Sequence, residues 1–299
     1  MLCLLEEHAI SPSRALGQNF VADANTVRRI ARLAGVGPGD RVVEIGAGLG
    51  ALTLALIETG ASVTAVEVDR WLVPLLRQVL ADKAPEATVT VVEADAMSLD
   101  WRALLSSSGR ASSSRPPKAA PASTTPKSSG GWALVANLPY NIATPLVADL
   151  LDEVPEIERM LVMVQQEVAQ RLVAGPGSKA YGAVSVKVAY WAEASLVGTV
   201  PSSVFVPRPR VGSALVSLKR RRTPAVDPAV IAPAELFNLV RTGFAQRRKM
   251  LRRALEGLGI PPEAFVQAGV SGESRAEELS VSGWGRLAAA AGQGRQGAT

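Results

Sequence analysis

A chain of 299 residues with 47% hydrophobic and 20% charged residues can bury a sizeable core and is long enough for one large domain and one small one. A single cysteine, Cys3, excludes an intramolecular disulfide, and with a single histidine, His8, almost nothing is left for a Cys/His metal cage or a Ser-His-Asp triad, so no metal is expected. The net charge of +5 permits a polyanionic partner, and no apolar run reaches the ~18–20 residues that cross a bilayer.

The N-terminus, MLCLLEEHAI, carries two acids and no basic region, a poor match to a signal peptide. A cytoplasmic protein without a membrane partner is expected. TVRRIARLA (26–34) has the spacing of an amphipathic helix. RVVEIGAG is a short apolar strand entering a glycine turn, and ALTLALIETG continues as a helix that Gly60 stops. SVTAVEVD and WLVPLLRQVLAD repeat the strand–helix pair, TVTVVEAD is a third strand, and ALVAN a fourth. Strands alternating with helices predict an α/β fold with a parallel sheet covered on both faces.

Between the third and fourth strands, residues 106–131 hold 18 Ser, Thr, Pro or Gly in 26 positions. Such a segment buries too little apolar area to order itself, and a disordered surface insertion is expected. A helix near 145–152, the strand RMLVMV and the helical QQEVAQRLVAG follow. Residues 179–200 mix helix and strand, and SALVSLKR closes the sheet. From 223 onward the pattern is helical. The expected organisation is one large domain over 1–222 and a small helical domain over 223–299.

In VVEIGAGLG (42–50) a strand feeds Gly46, Gly48 and Gly50. Glycines here let backbone turn with positive φ and approach a ligand closely. The spacing is G-x-G-x-G rather than the G-x-G-x-x-G of dinucleotide sites. Glu67 ends the second strand, placed to hold ribose hydroxyls, and Asp95 ends the third. Glu44, beside the turn, would hold the loop or meet the ligand's amino group. These strand ends form the ligand crevice of an open sheet and suit an adenosine-type ligand without a pyrophosphate cradle, S-adenosyl-L-methionine being the obvious one.

VANLPYNIATP (135–145) falls at the tip of the fourth strand. The side-chain oxygen of Asn137 and the carbonyl of Leu138, held by Pro139, are two acceptors, and Tyr140 is a ring that can stack. Together they fit an exocyclic amine on a planar base. Two acceptors favour a more tetrahedral nitrogen whose lone pair is free to attack. Catalysis by orientation and electrostatics then needs no histidine base.

GQNF (17–20), VVEIGAGLG, EVD (67–69), EADAM (93–97), NLPY (137–140), QQEVAQR (165–171), YGAVSV (181–186), VFVPRPRVGSALV (204–216) and FAQRRKMLRRAL (244–255) stand in the order of the rRNA adenine N6-dimethyltransferases. The chain resembles the KsgA/Dim1 group of that family over residues 14–255, interrupted only by the insertion. The resemblance implies a Rossmann-like class I methyltransferase sheet with a C-terminal helical domain. It implies methyl transfer from S-adenosylmethionine to N6 of two adjacent adenines near the 3′ end of small-subunit rRNA, in an assembling subunit. The related large-subunit enzymes that confer macrolide resistance, and an assembly factor acting by binding, are the alternatives. Asn19 and Val21 would line the cofactor site with Gly46, at the methionine part, and Gly48. Glu67 would meet the ribose, Asp95 the adenine, and Asn137 both cofactor and target amine. Tyr140 and Phe205 would stack on a flipped adenine. Arg208, Arg210, Arg247, Arg248, Lys249, Arg252 and Arg253 would contact RNA phosphates, the last five from one basic helix. From Arg208 to Arg253 twelve Lys/Arg face two acids, so the positive charge is concentrated there. The family pattern has an acid where Gly212 stands and usually leucine where Val21 stands. A monomer is expected.

Overall fold

The computed structural model describes residues 12–13, 16–107 and 130–296. Cys3, His8 and nearly all of the 106–131 insertion lie outside the described residues. The chain divides into two compact units, Met1–Gln166 with Leu196–Leu218, and Glu167–Ser195 with Lys219–Thr299.

The strands are β1 Phe20–Val21, β2 Arg41–Ile45, β3 Ser62–Glu67, β4 Val89–Glu93, β5 Trp132–Asn137, β6 Ile157–Gln165, β7 Ala192–Val200, β8 Phe205–Val206 and β9 Ser213–Arg220. Seven of them form one sheet in the order β4-β3-β2-β5-β6-β9-β7. β4, β3, β2, β5 and β6 run parallel. The chain builds outward from β2 to β3 and β4, then crosses back to lay β5 and β6 on the other side. The order therefore reverses between β2 and β5, where an open sheet leaves a crevice beyond its strand ends. The register sharpens this: Ile45 pairs with both Val66 and Ala136. Gly46, Glu67 and Asn137 thus leave the sheet at one level. The Rossmann-like arrangement expected from the sequence is present.

Helices Ala24–Ala34, Ala51–Ile57, Leu72–Lys83 and Ala143–Glu153 belong to this unit. The first starts two residues before the pattern predicts, because Asp23 caps it by accepting from Thr26 N at 2.8 Å. Helix Trp101–Ser107 is not anticipated by the sequence reading. Asp100 caps it through Ala103 N at 2.9 Å, and Trp101 anchors it by donating from Nε1 to the Ala96 carbonyl at 3.1 Å. β1 and β8, also unforeseen, pair antiparallel with Phe20 opposite Val206 and Val21 opposite Phe205.

The second unit has its own core around Trp284, Tyr181, Tyr190, Leu236, Leu251 and Leu287. It begins earlier than residue 223 because helix Ala183–Trp191 packs there, with Tyr190 edge-on to Phe237 at 5.2 Å between centroids. Residues 167–195, assigned by sequence to the first domain, therefore join the helical one. The basic run FAQRRKMLRRAL is not one helix either. Helix Pro233–Ala245 ends at Gln246, and a one-turn helix resumes at Leu251–Ala254. The break arises because the backbone turns to pair with 272–275: Met250 bridges Arg275, and Leu251 N donates to the Ser274 carbonyl at 2.8 Å. Among the described residues no helix is long and apolar enough to cross a membrane.

Candidate functional site

A cavity open to solvent lies at the crevice of the first unit. Its walls come from Leu16–Phe20, the ends of β2, β3 and β5, and the turns that follow them. Asn19, Gly46, Gly48, Glu67, Asp95, Asn137, Leu138, Pro139 and Tyr140 all line it, so most of the expected site converges.

The glycine turn is shaped by what crowds it. Gly46 has φ +75°, and its Cα faces the Asn137 carbonyl, which a Cβ would meet at 3.5 Å. Gly48 has φ +56°, and a Cβ there would come within 2.9 Å of the Phe20 ring. At Gly48 the walls close only because no Cβ is present, whereas at Gly46 the 3.5 Å contact is an ordinary one and it is the positive φ that favours glycine. Glu67 ties the turn to β3: one carboxylate oxygen accepts from Gly48 N at 2.7 Å, and the other from Val68 N at 3.0 Å and Asp69 N at 2.9 Å. The first oxygen keeps a lone pair for a ligand hydroxyl. Burial pushes the Glu67 carboxyl up, and the three N–H donors oppose that shift. Asp95 is exposed and accepts from Met97 N at 2.9 Å through Oδ1, leaving Oδ2 for an amino group.

Asn137 donates from Nδ2 to the Asn19 carbonyl at 2.9 Å. That bond fixes the amide orientation and leaves Oδ1 as an acceptor. Leu138 N donates to the Met163 carbonyl at 3.0 Å, and the Pro139 carbonyl accepts from Ile142 and Ala143 N, so the turn is held on both sides. The Leu138 side chain is buried, and what it offers the cavity is backbone. Tyr140 OH is 3.0 Å from Ser213 Oγ, a buried hydroxyl that the sequence reading passes over.

Three expected site residues are elsewhere. Neighbours in a strand point to opposite faces, so Phe20 faces the cavity while Val21 enters the core with Val27, Val42 and Met163. The one-residue phase cannot be read from a two-residue strand. Phe205 is 2% exposed in that same core and lies opposite Val21, so it supports the ribbon next to Asn19 and lines no part of the cavity. Glu44, 1% exposed on β2, also lies off the cavity wall. Burial pushes its carboxyl up to about 8, with the Thr53 hydroxyl opposing and Glu67 adding. Yet Glu44 Oε2 and Thr53 Oγ1 make no hydrogen bond of normal geometry among the described residues, so Thr53 acts as a polar neighbour rather than a bonded partner. Gln18, in the GQNF motif, lines the cavity and donates to Asp69 Oδ2 at 2.8 Å.

The basic residues divide. Arg208 and Arg210 are exposed, the former donating to Ser202 Oγ at 3.1 Å. Arg247 is engaged, with Glu277 at 2.7 Å and the Lys179 carbonyl at 2.7 Å. Arg252 and Arg253 lie 3.5 Å and 3.6 Å from Glu273 and Glu256. Arg248 and Lys249 are exposed and make no ion pair among the described residues.

The family model for ribosomal RNA adenine dimethylase matches residues 11–291. A ribosomal RNA small subunit methyltransferase A of Streptomyces coelicolor is 47% identical over 93% of this chain and 91% of its own length. Among solved structures, a dimethyladenosine transferase from Plasmodium falciparum aligns with a TM-score of 0.69 at 21% identity, covering 90% of this chain and 95% of that one. A 23S rRNA methyltransferase, ErmE, aligns with a TM-score of 0.63 at 27% identity, covering 92% of this chain and 100% of that one.

Proposed function

The chain belongs to the ribosomal RNA adenine dimethylase family, and on that footing we propose that it dimethylates N6 of two adjacent adenines near the 3′ end of small-subunit rRNA. S-adenosylmethionine is the methyl donor, and it supplies an electrophilic sulfonium methyl. The residues present fit it. Gly46 and Gly48 leave the backbone bare where the methionine part would lie, Glu67 keeps one lone pair for the ribose, and Asp95 keeps one oxygen for the adenine amine.

The observation that carries the reading is the committed amide of Asn137. Its Oδ1 and the Leu138 carbonyl accept the two hydrogens of an exocyclic amine, which draws the nitrogen lone pair out of the ring and aims it. Tyr140 stacks on the base, and its hydroxyl contact with Ser213 sets the ring's tilt. No base is needed before attack, because the product proton leaves afterwards. In dimethylation the same nitrogen is presented twice, once with two hydrogens and once with one.

The substrate is taken within an assembling subunit, by a monomer acting in the cytoplasm. The 223–299 region, with Arg248 and Lys249, and the Arg208–Arg210 loop supply phosphate contacts. The test is transfer from methyl-labelled cofactor to undermodified small subunits, bare small-subunit RNA and large-subunit RNA, with the labelled adenines mapped. Two adjacent dimethyladenines in the small subunit are expected. Label confined to large-subunit RNA would move the chain to the macrolide-resistance group, and tight subunit binding without label would make it a binding factor.

A further inference from the structure

Glu44 is the buried titratable group that the reaction above does not use. It sits two residues before Gly46 on β2, and its strand partners at that level, Ala65 and Val135, are apolar. Thr53, fully buried, stands three residues after Gly50 in the following helix. Glu44 and Thr53, both buried, therefore bracket the glycine turn along the chain, one before it and one after. The titratable neighbour that bears on Glu44 is Glu67 on β3, whose Oε2 holds Gly48 N at 2.7 Å. A carboxyl buried among apolar partners takes up a proton, whereas N–H donors favour the charged form. Glu67 has three N–H donors that oppose the upward push of its burial; Glu44 Oε2 has none. The proton belongs on Glu44.

We propose that Glu44 is a positioning residue that works in its protonated, neutral form, propping the Gly46–Gly50 turn from behind so that Glu67 can clamp Gly48 and receive the cofactor ribose. The inference rests on the cofactor reading of the cavity. A neutral acid has an O–H to donate, while an ionised one can only accept. Loss of that proton would set a second charge beside Glu67, draw water under the turn and loosen the Gly48–Glu67 contact. Cofactor affinity then falls with alkaline pH by more than the titration of the cofactor's own α-amino group accounts for.

The experiment measures S-adenosylmethionine binding to the full chain by calorimetry from pH 6.5 to 9.5, for the native protein and Glu44→Gln. The native Kd is expected to weaken with pH more steeply than that of Glu44→Gln, by up to about tenfold per pH unit once the proton is lost, the slope common to both coming from the cofactor's own α-amino group. A second measurement needs no variant and no ligand: the infrared difference spectrum of the native protein should contain a buried protonated carboxylic acid at pH 7 that vanishes with the same midpoint. A native Kd flat across the range, an equal slope in Glu44→Gln, or no protonated acid at pH 7 would each overturn the proposal. Failure to bind at every pH would overturn the cofactor reading and this one with it, whereas pH-independent binding overturns this one alone.

Discussion

Asn137 and Asn19, 118 residues apart, are joined by a 2.9 Å hydrogen bond from the Asn137 amide to the Asn19 backbone carbonyl. The bond determines which end of the Asn137 amide faces the amine. Asn137→Ala is expected to lower kcat by about 10²–10³, the usual loss for one preorganised polar group at a reacting centre, with the fold retained. Asn19→Ala keeps the carbonyl and loses only the 3.0 Å bond from Asn19 Nδ2 to Gly17 O, so its effect on kcat should be far smaller. Single-turnover kinetics on undermodified subunits separates the two. Equal losses would mean that the Asn19 side chain, and not its carbonyl alone, is needed to hold the site.

Gly48→Ala should weaken the cofactor by about tenfold or more, since positive φ costs about 1–2 kcal/mol for an L residue and the new Cβ meets the Phe20 ring at 2.9 Å. Adding Phe20→Leu removes the clash but leaves the backbone strain, so the double variant should recover only part of the affinity. Calorimetric titration of both variants gives the partition. Full recovery would show that φ at Gly48 carries no cost.

The sign of the pH dependence of stability follows from Glu44. Its carboxyl lies at about 8 in the folded protein against 4.5 as the ordinary value. The folded protein therefore keeps a proton that the unfolded chain releases from pH 4.5 upward. The stability this group permits is fully present below pH 4.5, is lost as pH rises towards about 8, and levels off above, with a slope of about 1.4 kcal/mol per pH unit in between. Glu44→Gln has no such burden. Melting temperatures of the two proteins should diverge in favour of the variant from pH 5 to pH 8 and run parallel beyond. Parallel curves throughout would contradict the burial argument.

Tyr140 is held through Ser213 at 3.0 Å. Tyr140→Ala should reduce kcat/KM for RNA by about tenfold to a hundredfold, the worth of one base–aromatic stack, while leaving cofactor Kd unchanged. Tyr140→Phe and Ser213→Ala keep the ring and lose only its tether, so each should cost less than Tyr140→Ala and their effects should not add. Additive losses would assign Ser213 a separate role.

Arg247 and its neighbours should behave differently. Arg247→Ala breaks its contacts with Glu277 and the Lys179 carbonyl, both 2.7 Å, and should lower the melting temperature with little change in salt dependence. Arg248→Ala with Lys249→Ala should leave stability intact and reduce the slope of log Kobs against log salt by about two for RNA binding, near one per phosphate lost. Filter binding at several salt concentrations reads this directly.

The strand ends were legible because β2, β3 and β5 are short apolar runs, each broken by a residue that no core would choose: Gly46, Glu67, Asn137. What stayed hidden depends on contacts distant in sequence. The choice of Phe20 over Val21 is a strand phase that a two-residue ribbon does not display, and the same ribbon takes Phe205 into the core. Ser213 meets Tyr140 across 73 residues. The break after Ala245 comes from pairing with Arg275, whereas the local composition of FAQRRKMLRRAL suits an unbroken helix.

The parallel strands give the sheet a working edge and a service edge. Trp132, where the chain re-enters the sheet after residues 108–129, opens β5, while Asn137 closes it; at about 3.3 Å per residue the two are about 17 Å apart. A segment entering at Trp132 thus joins the sheet at the end opposite the methyl-transfer residues. The same geometry makes this crossover a place for a grafted fluorophore or affinity handle that leaves methyl transfer intact.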